Sequence, residues 1–218
     1  EKPVYLSIEN GQAELREAES LWGKDTNETE DILKEAHGEA KGRNGKPVEV
    51  ACIGPAGENL SLLAAIINDK GRAAGRSGVG AVMGSKKLKA IVVSGTAEVP
   101  LADPEKAQAL RKEYMKKTGG AHELFVDYGT IGITGDSAMS GDSPVKNWGG
   151  VGPVDFPTGA VNFKDETVIA YQDKKYGCWR CTMACGGHMS VKEEGPYKGV
   201  AHHKVEYETA ASWGSMTL

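Results

Sequence analysis

Gly71-Arg72-Ala73-Ala74-Gly75-Arg76-Ser77-Gly78-Val79-Gly80-Ala81-Val82-Met83-Gly84-Ser85-Lys86-Lys87 carries four basic residues and, after its opening Gly71, four glycines. Glycine lets the main chain take positive φ and lets a ligand approach the backbone. Exposed N–H groups in such a turn form an anion-binding concavity. Arg72 and Arg76 add planar donor forks suited to phosphate oxygens. A glycine-rich turn between two strands, with solvated charges, is the alternative reading of the same residues. The dinucleotide-binding fingerprint is excluded. Gly78-x-Gly80-x-x-x-Gly84 has one residue too many, and no acidic residue ends a second strand about 20 residues on.

Outward from this stretch, the N-terminal side reads mainly as β-structure. Pro3 to Ile8 is strand-like, Glu9-Asn10-Gly11 is a hairpin turn of type I′, and Gln12 to Arg16 returns antiparallel. Asn27 is expected to cap a helix, with Glu30 as its capping-box partner. That helix runs to about Ala36 with Ile32, Leu33 and Ala36 on its apolar face. Residues 38–47 read as exposed loop. Val48 to Ile53 and Leu88 to Ser94 read as buried strands, whereas Leu60 to Ile67 is apolar throughout and fits strand or helix equally.

The composition changes near residue 100. Asp103 caps a helix whose first turn holds Pro104 and which ends near Lys117, before Gly119-Gly120. His122 to Tyr128 reads as a short helix, residues 129–163 as glycine- and proline-rich irregular chain, and Asp165 to Lys174 as helix. The cysteines follow, and Val205 onward reads as helix to the end. The expected class is α+β. Residues 1–100 are expected to form a β-rich part, and residues 101–218 a mainly helical part carrying the cysteines.

The 218 residues are 39% apolar and 26% charged, which fits a globular chain with room for one or two domains. A net charge of −4 argues against nucleic acid as the main partner. No apolar run approaches a membrane span and no signal peptide opens the chain, so a cytoplasmic protein is expected. Glu1 opens just before a strand and Leu218 closes inside helix-like sequence, which reads as an internal piece of a longer protein.

Cys178-x₂-Cys181-x₃-Cys185 is the second signal. Three close thiols on a glycine-ended segment can converge on one metal, and a disulfide scheme leaves one of them over. Zinc usually takes two separated arms; only His188 follows, and it keeps zinc open. A [4Fe–4S] cluster accepts a compact run of three cysteines with the fourth supplied from far away. Cys52, mid-strand, reads as a small buried hydrophobe, so the fourth ligand is expected beyond Leu218. Trp179, Met183 and Met189 beside the cysteines fit either cluster shielding or ordinary packing.

Both signals, in this order, resemble the tungsten-dependent aldehyde:ferredoxin oxidoreductase family, which also includes benzoyl-coenzyme A reductase subunits. The resemblance is carried by EKPVY at 1–5, IGPAGEN at 53–59, RAAGRSGVGAVMGSKKLKAI at 72–91, PVKNW at 144–148, the three cysteines and VEYET at 205–209. It implies a tungsten bis-pterin cofactor between a β-rich domain and helical domains, with a [4Fe–4S] cluster close to one pterin. Arg72, Ala73, Gly75 and Arg76 would bind the cofactor: the arginines donate to its phosphates and the Ala73 carbonyl touches a phosphate-bridging Mg²⁺. Cys178, Cys181 and Cys185 would be the first three cluster ligands. Glu208 aligns with the carboxylate placed beside the tungsten centre and would be the catalytic acid/base; without the resemblance, Glu206 and Glu208 read as helix-start carboxylates favoured by the macrodipole. The sequence departs from the family at Lys87, where Asn is common, and in a run near Gly42 to Pro47 that looks inserted.

The implied activity is oxidation of a small aldehyde to a carboxylic acid, with electrons passed to ferredoxin or an iron–sulfur subunit, in a homo- or hetero-oligomer. Dearomatising reduction of benzoyl-coenzyme A is the alternative within the family. Outside it stand a non-catalytic iron–sulfur electron carrier, for which the arginine–glycine segment has no use, and a zinc-stabilised interaction module.

Overall fold

Asn10 (φ 49°) and Gly11 (φ 86°) turn the chain between β1 (Val4–Glu9) and β2 (Gln12–Glu17), the two positive φ angles that a type I′ turn requires. The computed structural model describes residues 2–42, 45–121, 123–178 and 181–212. The chain folds as two compact units, Glu1–Pro100 and Leu101–Leu218, and its class is α+β, as expected.

In the first unit, β1 and β2 are followed by α1 (Thr26–Ala36), β3 (Glu49–Cys52), α2 (Pro55–Glu58), β4 (Ile66–Asn68), β5 (Arg72–Ala74), α3 (Val79–Ser85) and β6 (Leu88–Ser94). The strands form one sheet in the order β2-β1-β6-β3-β4-β5. Only β1 and β6 pair in parallel. Strand alternation turns Val50 and Cys52 of β3 and Ala90 and Val92 of β6 inward, against Tyr5, Ala18, Leu21, Leu33 and Val48. Cys52 is fully buried, and burial pushes its thiol pKa up to about 11, so it behaves as an inert core residue.

The α1 cap differs from the expected one. Asp25, not Asn27, is the N-cap: its carboxylate accepts from Glu28 N at 2.8 Å, and Glu28 returns a bond to Asp25 N. Two capping boxes overlap in this sequence, and the interior decides between them. Glu30 is fully buried, accepting from Lys34 Nζ at 2.5 Å and from Lys70 N at 2.9 Å. The inward face of α1 is therefore Thr29, Glu30 and Leu33, while Ile32 and Ala36 are exposed. The 60–67 run is neither a full strand nor a helix; only Ile66 and Ile67 enter β4, and Leu62 and Leu63 stand exposed. Lys87 holds φ 50°, a left-handed position that Asn tolerates better than Lys. Of the loop before Pro47, Gly42 N donates to Lys46 O, Lys46 and Pro47 are exposed, and residues 43–44 lie outside the described residues.

The second unit opens with α4 (Pro104–Ala121), whose first turn is capped by Asp103 Oδ1 accepting from Lys106 N at 2.9 Å. The helix continues past Lys117 through Gly119-Gly120, although each glycine costs about 1 kcal/mol there relative to alanine. α5 (Glu123–Asp127) follows; His122 lies outside the described residues. The stretch expected to be irregular instead holds a 3-10 turn at Thr130–Ile133 and short helices α6 (Thr134–Ser140), α7 (Gly152–Asp155) and α8 (Pro157–Asn162). They pack Ala138, Val145, Phe156 and Ala160 into a small core flanked by Phe163. Proline in the first turn and glycine at the end make such helices short rather than absent. The 165–174 helix is also corrected: α9 covers only Asp165–Ile169, and β7 (Gln172–Tyr176) pairs antiparallel with β8 (Gly186–Ser190). Tertiary pairing overrides the polar, helix-like local sequence. β8 also pairs with β9 (Ala201–His203), and α10 (Tyr207–Ala210) follows. The expected helix beyond 212 lies outside the described residues.

Candidate functional site

In the first unit, β4 and β5 form a hairpin pairing Ile66 with Ala74, Ile67 with Ala73 and Asn68 with Arg72. Its turn runs through Asp69 (φ 49°) and Lys70 (φ 55°). α1 holds that turn from below: Glu30 accepts from Lys70 N, and Lys70 Nζ meets the Asp31 carboxylate at 2.7 Å. Thus Glu30 positions the hairpin that presents Arg72. β5 is the last strand of the sheet, so one side of its backbone has no strand partner. Arg72 is half-buried, whereas Ala73, Gly75 and Arg76 are exposed.

The glycines of this stretch separate into two groups. A Cβ on Gly75 would meet nothing within 4 Å, so the main chain there is open to a ligand. The rest serve packing. Gly78, at φ 67°, precedes α3, and a Cβ there would come within 3.0 Å of the Leu62 carbonyl. On Gly80 it would lie 2.7 Å from the Ala64 carbonyl, and on Gly84 it would overlap the Gly57 carbonyl. α2 and α3 therefore meet backbone to backbone, so Gly80 and Gly84 serve helix packing rather than a turn with solvated charges.

α2 is anchored by a buried ion pair that the sequence analysis missed. Lys89 Nζ, fully buried, donates to Glu58 Oε1 at 2.5 Å and to the Lys24 carbonyl at 2.8 Å. Glu58 Oε2 accepts from Gly23 N at 2.8 Å. The available signal was a lysine inside the otherwise apolar strand Leu88–Val93.

In the second unit, the cysteine loop joins β7 to β8. Cys178 and Cys181 are exposed, Cys185 is half-buried immediately before β8, and all three are free thiols. Cys181 N donates to Cys178 O at 2.9 Å, giving the loop a turn, and Ala184 (φ 46°) reverses the chain before Cys185. Among the described residues no group of three or more His, Cys, Asp or Glu side chains is gathered to hold a metal. His188 instead packs with Tyr176 and His203, and Tyr176 OH bonds His203 Nδ1 at 2.7 Å. The donor set, three free thiols on one accessible loop, fits a thiolate-bound iron–sulfur centre, which needs the loop to draw its thiols together on binding. Met189 lies in β8 and Trp179 outside the described residues.

α10 begins beside the Thr130 turn. Thr130 Oγ1 accepts from Tyr207 N at 3.0 Å and donates to Glu206 Oε2. Glu206 is thus engaged in holding α10. Glu208, in the first turn, is exposed among the described residues.

The comparisons with known proteins follow this division. Residues 1–95 match the family model for the aldehyde ferredoxin oxidoreductase N-terminal domain, and residues 105–218 match that for domains 2 and 3 of the same enzymes. The chain belongs to the aldehyde ferredoxin oxidoreductase family. It is 41% identical over 94% of its length to the tungsten-containing aldehyde ferredoxin oxidoreductase of Thermococcus kodakarensis, covering 33% of that protein. It is 38% identical over 94% of its length to the enzyme of the same name from Pyrococcus furiosus, again covering 33%. The aliphatic sulfonate oxidoreductase WOR-like subunit of Pyrococcus furiosus is 36% identical over 98% of the chain, with 35% of that subunit covered. The active-site complex BamBC of benzoyl coenzyme A reductase, solved with 1,5-dienoyl-CoA, shares the fold at a TM-score of 0.73 and 26% identity, over 99% of this chain and 33% of that one. The chain spans about a third of the length of the relatives it matches. No helix among the described residues is long and apolar enough to cross a membrane.

Proposed function

We propose that this chain is part of a tungsten-pterin, iron–sulfur enzyme that oxidises aldehydes to carboxylic acids and passes the electrons to ferredoxin or an iron–sulfur subunit. The observation that carries the reading is the match of both units to successive domains of one oxidoreductase family. The aldehyde reading is supported by the 41% and 38% identity to aldehyde oxidoreductases, and benzoyl-coenzyme A reduction by the 26%-identical structural relative. When bound, the tungsten–pterin centre supplies two-electron redox chemistry and the [4Fe–4S] cluster carries electrons singly.

The chain's own residues bind and orient. Arg72 and Arg76 would donate to the cofactor phosphates, the open backbone at Gly75 would let those phosphates approach, and Ala73 of the last strand would supply a carbonyl oxygen to Mg²⁺. Cys178, Cys181 and Cys185 would be thiolate ligands of the cluster. Conversion of an aldehyde and water to an acid releases two protons with the two electrons, and Glu208 is the carboxylate that takes up a proton.

The test is made on the full-length protein. Purified holoprotein should contain tungsten, iron and sulfide and reduce a low-potential one-electron dye when given an aldehyde. Iron without tungsten would support the electron carrier instead, and zinc alone the interaction module. In the same preparation, Arg72→Ala/Arg76→Ala should weaken pterin retention by about two to four decades, since each charge-assisted hydrogen bond is worth about 1.5–3 kcal/mol, with little change in melting temperature. Full pterin occupancy in that variant would make the arginines surface charges only.

A further inference from the structure

Lys204 is 7% exposed, a rare state for a lysine, and it lies against β8, which Cys185 immediately precedes. Its backbone N donates to Gly187 O at 2.6 Å, two residues past Cys185. Its ammonium donates to Gln172 Oε1 at 3.0 Å. Gly129, at φ 75°, is the spacer: a Cβ there would lie 2.8 Å from the Cys185 carbonyl and 3.3 Å from Lys204 Nζ. The Cys185 backbone and the Lys204 ammonium thus flank one glycine.

We propose that Lys204 is a positioned cation that raises the reduction potential of the iron–sulfur centre held through Cys185. The proposal rests on the cluster reading above. Reduction adds an electron, and a nearby buried positive charge favours the more negative state because little water screens it. The other charges facing Lys204 are weaker candidates. Lys175 is paired with Asp127 at 3.1 Å with both side chains substantially exposed, and Glu206 is exposed and bonded to Thr130. Burial lowers the Lys204 pKa from the ordinary lysine value. A purely structural Lys204, filling space and bonding Gln172, would affect melting temperature but not potential.

The experiment is a redox titration of the full-length holoprotein followed by electron paramagnetic resonance of the cluster. Lys204→Gln should shift the midpoint to more negative potential, on the order of tenfold in the reduced-to-oxidised ratio at fixed potential, which is 59 mV for one electron. Lys204→Arg, which keeps the charge, should stay near the parent. Gln172→Glu neutralises Lys204 without removing it and should shift the midpoint the same way; it decides the matter if Lys204→Gln does not fold. Midpoints unchanged in the folded, cluster-loaded variants overturn the role of Lys204. An absent cluster signal in the parent protein overturns the cluster reading on which the role depends.

Discussion

In the full-length enzyme, Glu208→Gln lowers kcat by about 10²–10⁴-fold, the range expected for loss of a general acid/base, while tungsten and cluster content stay at parent levels. The two acidic residues of VEYET have different work in this structure. Glu206 accepts a bond from Thr130, whose hydroxyl also accepts from Tyr207 N, so it fastens the start of α10. Glu208 projects from the first turn of the same helix and is exposed. Glu206→Gln should accordingly cost stability through its lost charge-assisted bond, with a much smaller effect on turnover. Steady-state kinetics of both variants across pH, with metal content measured on the same samples, make the comparison. Normal turnover of Glu208→Gln at every pH would return Glu208 to a helix-start charge.

Lys89→Met destabilises the protein by about 3–5 kcal/mol, the cost of leaving one partner of a buried ion pair without the other. Lys89 is fully buried and Glu58 nearly so, and each has a second backbone partner, Lys24 O and Gly23 N respectively. Removing the ammonium leaves the Glu58 carboxylate in the interior with only the Gly23 N–H. The double variant Lys89→Met/Glu58→Gln should recover much of the loss, because no uncompensated charge remains. α2 and α3 meet through Gly57, Gly80 and Gly84, so a displaced α2 also disturbs the segment that follows β5. Denaturant unfolding of the parent, Lys89→Met, Glu58→Gln and the double variant gives the coupling; a Lys89→Met cost below about 1 kcal/mol, as for an exposed pair, would contradict it.

Much of the first unit was legible because its signals are local. Asn10-Gly11 specifies a tight hairpin by its φ preferences alone, and the runs of β3 and β6 are short, apolar and bounded by glycine or polar residues. The α1 cap was not legible, since Asp25-x-x-Glu28 and Asn27-x-x-Glu30 are equivalent locally; the contact of Glu30 with Lys70 N, 40 residues away in sequence, separates them. The glycine-rich stretch was half legible. That glycines were needed could be read, but Gly57 lies too far along the chain to reveal that Gly80 and Gly84 serve helix contact. In the second unit, β7 has no strand-like pattern and exists because β8 pairs with it. The buried lysines were missed for the same reason: burial of Lys89 and Lys204 depends on partners supplied by distant residues.

The most direct test of the account is the cluster itself. Electron paramagnetic resonance and iron analysis should be carried out on the reduced full-length protein and on Cys178→Ala, Cys181→Ala and Cys185→Ala. The account predicts a [4Fe–4S] signal in the parent and its loss or conversion in every variant, because three thiols on this loop supply three of the ligands. Iron content and spectrum unchanged in all three variants would contradict it.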